Sequence, residues 1–240
     1  MTHLYLIRHG QAVVNVNPII GGMRGDTGLT PRGIEQAELL RDRLAATREI
    51  AADVLISSTM PRARQTAQIL APALARELCE DAEFCEMNPG EADGLTFEEY
   101  AQRYGKFVFD PSRPLSPGGE TWLTFVERTS AAFERITAEH AGKTIMVVCH
   151  GWVIESSFVH FFGLGRRDMP TLDFQVTNTS ITHWQYHERG GKQRWGLGRY
   201  NDAVHLQAAV RWQRDDDLRD AEHTSVPLNE ADKVLRIDRG

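Results

Sequence analysis

The chain has 240 residues, 41% of them apolar and 25% charged, with a formal net charge of −6 and a pI of about 5.9. That length fits one large α/β domain, or a domain with an appendage, and it is enough to bury a real core. A mildly acidic chain without a Lys/Arg block lacks the basic face that non-specific nucleic-acid binding needs, so an anionic ligand would have to be drawn by a local basic cluster inside a cleft.

In chain order, THLYLIRHG reads as a short buried strand that ends at Gly10. PRGIEQAELLRDRLAA reads as an amphipathic helix with Thr30 as N-cap, Pro31 at its first position and Glu35 in its early turns. DVLISS is a second strand, and MPRARQTAQILAPALARE a second helix, expected to kink or break at Pro72. GETWLTFVERTSAAFERITAEH is a third, longer helix. KTIMVVCHG is a strand so apolar that both of its faces should be covered, as in a parallel sheet. WVIESSFVHFFG is a helix closed by Gly163, and NTSITHWQYHE and QRWGLGRYND are later strands.

This alternation predicts an α/β three-layer sandwich, with a mostly parallel central sheet and helices on both faces. Residues 87–119, rich in Gly, Pro and acidic side chains, read as an irregular insertion in a catalytic domain spanning 1–212. Residues 213–240 are highly charged and read as a tail or docking helix, with Val234 and Ile237 able to share one face. The three cysteines, Cys79, Cys85 and Cys149, form no CxxC pair, which suggests a reducing compartment. With no signal peptide or membrane-length run, the expected location is cytoplasmic. The glycosylation pattern at Asn178-Thr179-Ser180 and the adhesion tripeptide Arg24-Gly25-Asp26 are treated as chance matches.

Ligands of open α/β sheets bind beyond the carboxyl ends of the parallel strands. Three predicted strands end in Arg8-His9-Gly10, in Ser57-Ser58 with Arg62 just after, and in Cys149-His150-Gly151. Two histidines and two arginines would therefore meet at one edge. Arginine forks and helix N-termini suit phosphate, and a neutral imidazole can carry a phosphoryl group covalently. No P-loop and no metal-ligand spacing is present, so no metal or cofactor is expected. His183 and His187, four apart on a predicted strand, lack an obvious third ligand.

LIRHGQ with PRARQTA, CEMNPGEADGL, SPGGET and VVCHG resembles the histidine phosphatase superfamily, in its phosphoglycerate-mutase-like branch, over roughly the first 205 residues. The resemblance implies a phosphohistidine intermediate, with His9 as nucleophile and Glu86 as proton donor to the leaving alcohol. It implies that Arg8, Asn15, Arg62, His150 and Gly151 bind the substrate phosphate. His150 is expected to be protonated there, and Asp93 is the alternative acid. Cys149, where the family often has serine, is expected to be a small buried residue.

The expected activity is a metal-independent phosphatase acting on a small phosphomonoester. The alternatives are a cofactor-dependent phosphoglycerate mutase or a non-catalytic phosphate-binding module. Mutases of that kind follow the acid with an Arg-His-Tyr-Gly type run, whereas Met87-Asn88-Pro89-Gly90 follows Glu86 here. The expected partner is a small phosphorylated substrate, with no nucleic acid, no membrane and a possible homo-oligomer.

Overall fold

Short apolar runs that stop at glycine or serine form the centre of the molecule. The computed structural model describes residues 1–207 other than 18, 107, 109 and 165–173. In it β1 (Thr2–Arg8), β2 (Val54–Ser57), β3 (Leu78–Glu80) and β4 (Thr144–Cys149) run parallel. An antiparallel ribbon of β5 (Ile181–Arg189) and β6 (Lys192–Asp202) continues the sheet, giving the order β3-β2-β4-β1-β5-β6. The helices are α1 (Val13–Val16), α2 (Pro31–Thr47), α3 (Pro61–Leu74), α4 (Phe97–Tyr104), α5 (Trp122–Glu139) and α6 (Gly151–Phe162).

Successive strand residues point to opposite faces, and here both faces are covered. Tyr5, Ile7, Leu55, Met146 and Val148 pack with Leu40, Leu44, Ala63 and Leu70 of α2 and α3. Leu4, Leu6, Ile56, Val147 and Cys149 pack with Phe125, Phe133, Val153 and Phe158 of α5 and α6. The expected three-layer sandwich is therefore present.

Local signals set most helix ends. The Thr30 hydroxyl accepts from Gly33 N–H at 3.0 Å, with Pro31 at the first helical position. Gly163 closes α6 at φ 65°. The break expected at Pro72 is absent, because α3 runs on to Leu74. Pro72 falls in the last turn, so the i−4 bond that its missing N–H forfeits lies at the end of the helix, and its carbonyl still accepts from Ala75 N–H at 3.3 Å. The irregular segment contains α4, started by a Thr96–Glu99 capping box that the string TFEE spells out.

Met1–Ala203 make one compact unit and Val204–Gly240 a second, of which residues 204–207 form a helical turn. The charged tail expected over 213–240 lies outside the described residues.

The turn after β1 crosses the start of α2 backbone to backbone. A Cβ at Gly33 would stand 1.9 Å from the Gln11 carbonyl oxygen, and one at Gly10 would stand 2.4 Å from the Gly33 carbonyl oxygen. No side chain fits there without moving main chain. Gly33→Ala should cost about 1–3 kcal/mol through overpacking. For a chain of this size that lowers Tm by roughly 2–12 °C in calorimetry. An unchanged Tm would show that the crossing has slack.

Candidate active site

Two backbone bonds extend the parallel ladder past the strand ends. His9 N–H donates to the Cys149 carbonyl at 3.0 Å, and Ser58 N–H donates to the Val148 carbonyl at 3.0 Å. They set the ends of β1, β4 and β2 side by side. The His9 and His150 rings come to 5.2 Å between centroids.

His9 is buried and held at both ring nitrogens. Nδ1 lies 2.7 Å from the Gly10 carbonyl, which can only accept, so Nδ1 carries the proton. Nε2 then presents its lone pair, and Arg62 Nε donates to it at 3.1 Å. Burial, then the Arg62 and Arg8 charges, pushes the imidazole pKa well below its ordinary value. His9 is thus neutral, the form a nucleophile needs.

The backbone at His9 is tied down as well. Gly10 N–H donates to the Thr66 hydroxyl at 3.0 Å, Asn178 Nδ2 to the His9 carbonyl at 2.9 Å, and Thr179 N–H to the Arg8 carbonyl at 2.9 Å. The Asn178-Thr179-Ser180 match therefore belongs to this scaffold. Its amide is committed inside the fold, and Thr179 is buried in the left-handed region at φ 58°.

Arg62 is buried and paired with Asp26, which the tripeptide reading had set aside. Asp26 Oδ2 accepts from Arg62 Nη1 at 3.0 Å and from Arg62 N–H at 3.2 Å, and Oδ1 accepts from Gly28 N–H at 2.9 Å. Both side chains are almost wholly out of water, 3% and 0% exposed. A pair desolvated to that degree is costly to break on one side.

His150 is fully buried, and its Nε2 lies 2.8 Å from the Ser58 hydroxyl. Its Nδ1 is buried without a hydrogen-bond partner among the described residues. Burial, Arg62, His9 and Arg8 all push its pKa well down, so the expected protonated form calls for an anion beside it to offset those charges.

Glu86 lies on the loop after β3, its carboxylate at the start of α6. Oε1 accepts from Met87 N–H at 3.1 Å and Oε2 from Trp152 N–H at 3.3 Å. Burial raises its pKa, against Arg62, the two amides and Arg8. Arg8 donates through Nη1 to the Val176 carbonyl, and its charge reaches His9, His150 and Glu86. Gly151 opens α6, and a Cβ there would lie 3.9 Å from Arg8 Nε, which sets the helix start against the guanidinium. Arg8, His9, Arg62, Glu86, His150 and Gly151 thus share one site.

The other expectations fare differently. Asn15 is exposed, and its Oδ1 accepts from Ala12 N–H at 2.9 Å, so the described bonds tie it to the α1 cap. Asp93, the alternative acid, is committed elsewhere: it accepts from Gly22, Gly25 and Arg24 N–H groups at 2.9, 2.9 and 2.7 Å. It anchors the 21–25 loop. Cys149 is fully buried, and burial pushes its thiol pKa up, which makes it an inert packing residue. His183 stacks on Tyr5 at 4.0 Å and bonds His3 at 3.0 Å, and burial pushes its pKa down to about 4. Among the described residues no group of three His, Cys, Asp or Glu side chains could hold a metal ion.

Paired histidines and arginines at the carboxyl edge of a doubly covered parallel sheet suit an anion such as phosphate. Comparison with known proteins gives the family. The histidine phosphatase superfamily (branch 1) matches residues 4–202, and the chain belongs to it. A metal-independent phosphoserine phosphatase of Arabidopsis thaliana is 27% identical over 223 residues, covering 90% of this chain and 88% of its own. Bacillus stearothermophilus YhfR superposes with a TM-score of 0.73 at 27% identity, over 86% of this chain and 100% of that one. A phosphoserine phosphatase of Entamoeba histolytica, a mutant solved with phosphoserine, gives a TM-score of 0.67 at 26% identity, over 86% and 100% of the two chains. These relatives support a phosphatase of this superfamily.

The Asp26–Arg62 pair yields a direct test. Asp26→Ala should lower stability by about 3–5 kcal/mol, read by urea unfolding, because it strands a buried guanidinium. Asp26→Asn keeps an acceptor and should cost less, yet slow turnover of an aryl phosphate at least about tenfold. Unchanged stability and rate in both variants would show that the pair is incidental.

Proposed function

We propose that the chain is a metal-independent phosphatase that hydrolyses a small phosphomonoester through a phosphohistidine on His9. The observation that carries this is the state of His9: neutral, its Nδ1 proton held by the Gly10 carbonyl, and its Nε2 lone pair facing the Arg62 guanidinium. A phosphate binding beside it competes for Arg62 as an acceptor. The guanidinium then moves its hydrogen bond from Nε2 to a phosphate oxygen and frees the lone pair.

Nε2 attacks phosphorus in line, and the bond to the leaving alcohol oxygen breaks. Glu86 gives that oxygen its proton. A water then attacks the phosphohistidine, Glu86 takes the water's proton, and inorganic phosphate leaves His9 neutral again. The substrate carries about −1.5 to −2 charges near neutral pH. Arg8 and Arg62 oppose it directly. His150 takes up a proton only as the anion arrives, since the dianion offsets the cations that hold its pKa down. Its Nδ1 then has a phosphate oxygen to bond.

The cations do the work that a metal does in other phosphatases. Phosphoserine, named for two relatives, is the first substrate to try. The location we propose is cytoplasmic: all three cysteines are free, and no helix of the described residues is long and apolar enough to cross a membrane. Asn15 keeps its proposed phosphate contact only if its side chain leaves the α1 cap.

Two outcomes follow. Turnover of 4-nitrophenyl phosphate should survive dialysis against a strong chelator and vanish in a folded His9→Ala variant. A rate lost in chelator and restored by one metal, or kept in His9→Ala, would refute the mechanism. The pH profile has a definite sign. The active form has His9 neutral and Glu86 protonated, so kcat/KM falls at low pH through the lowered His9 pKa and at high pH through the raised Glu86 pKa. Glu86→Gln cannot lose a proton, so it should lack the Glu86 limb while losing about 10²–10⁴-fold on alcohol leaving groups. The same alkaline limb in Glu86→Gln and wild type would move the acid elsewhere.

A further inference from the structure

A proton donor acts only if its carboxyl is held close to the leaving oxygen, within roughly half an ångström of its working position. Glu86 does not sit on a helix or strand. It lies between two short 3₁₀ turns, Ala82–Phe84 and Gly90–Ala92. Its own two amide bonds orient the carboxylate but do not fix the loop that carries it.

That loop is gripped from α5. Arg128 faces it with a fully used guanidinium. Nε and Nη2 donate to Glu120 Oε1 and Oε2 at 2.7 and 2.8 Å. Nη1 donates to the Glu83 carbonyl at 2.5 Å and the Cys85 carbonyl at 3.2 Å, and Nη2 also donates to Cys85 at 3.2 Å. Five N–H groups thus meet five acceptor contacts, which leaves none for a ligand. Glu120 is equally committed: Oε2 also accepts from Asn88 N–H at 2.9 Å, and Glu120 N–H donates to the Asn88 carbonyl at 2.8 Å.

The same ion pair therefore pins Cys85, on one side of Glu86, and Asn88, two residues beyond it. The grip has a rigid base. Arg128 lies 5.1 Å over the ring of Phe125, itself fully buried, and the paired side chains are only 19% and 20% exposed. The two loops also meet backbone to backbone. Glu91 N–H donates to the Pro117 carbonyl at 3.0 Å, and a Cβ at Gly90 would stand 2.4 Å from both Pro117 O and Gly119 N.

We propose that Glu120 and Arg128 are positioning residues for Glu86, a bidentate clamp that sets where the proton donor stands. The inference rests on the reading of Glu86 as that donor. Lysine cannot replace Arg128, because one ammonium cannot span a carboxylate and two carbonyls. A clamp that only stabilised the fold would slow every substrate alike. A clamp that works through Glu86 slows those substrates whose leaving oxygen needs a proton.

The test uses the full chain with two substrates of similar body, 4-nitrophenyl phosphate and benzyl phosphate, whose leaving groups are a phenolate and an alkoxide. kcat/KM is measured for wild type, Arg128→Lys, Glu120→Gln, Glu86→Gln and the double variants, beside Tm. Glu120→Gln keeps the shape, removes the charge and turns one accepting oxygen into a donor, so it breaks one side of the clamp and reports the effect if Arg128→Lys does not fold. The expected result is that both clamp variants lose at least about tenfold more on benzyl than on 4-nitrophenyl phosphate. Added to Glu86→Gln, neither should change that ratio further, since the group they position is gone. Equal losses on both substrates, no loss, or a loss that multiplies with Glu86→Gln would overturn the clamp. If Glu86→Gln alone leaves the ratio unchanged, the reading of Glu86 fails, and the clamp with it.

Discussion

The structure turns on one buried chain of contacts: Asp26 holds Arg62, Arg62 faces His9 Nε2, and the Gly10 carbonyl holds the opposite nitrogen. Each link needs the next. Without the carbonyl the imidazole could carry its proton on the wrong nitrogen. Without Asp26 the guanidinium would be a buried charge with nothing to answer it. Without burial the imidazole would titrate in the ordinary range and lose its lone pair in mild acid. The arrangement is neutral at His9 and cationic around it, which suits an incoming anion.

The fold supplies that chain by register. Parallel strands place their carboxyl ends together, and the ladder bonds beyond β1 and β2 carry the alignment one residue further. Glycines at 10 and 33 let the turn after His9 cross α2 without side chains between them. The helices on the two faces have different tasks at the site. α3 delivers Arg62 and Thr66, while α6 delivers Gly151 and the Trp152 amide that Glu86 meets. The sheet is thus a frame whose open edge collects charges from segments far apart in the chain.

Much of this was legible in the residues alone. Strands that are apolar at every position announce a doubly covered sheet, and Thr30-Pro31 and Gly163 announce helix ends. His9 and His150 could be placed because each closes a predicted strand, and Arg62 because it opens the helix after the second one. What stayed hidden depends on pairing at a distance. Asp26 sits in a glycine-rich loop 36 positions from Arg62, and nothing local marks it as a buried partner. Asn178 and Thr179 look like a surface pattern until the fold brings them against Arg8 and His9. Asp93 and Glu86 are alike in sequence. The first answers three loop amides, and the second meets the start of α6. The setting of His150 was hidden for the same reason: only the fold shows that burial and the neighbouring arginines push its pKa down.

The central claim is that His9 takes the phosphoryl group. The direct measurement is to mix enzyme with a phosphomonoester, quench in alkali within one turnover, and map the phosphate by peptide mass spectrometry. The account predicts up to one phosphate per chain, on His9, stable in alkali and lost in acid, and no label in a folded His9→Ala variant. Phosphate found on a serine, cysteine or aspartate, or on no residue when single-turnover kinetics require an intermediate, would contradict it.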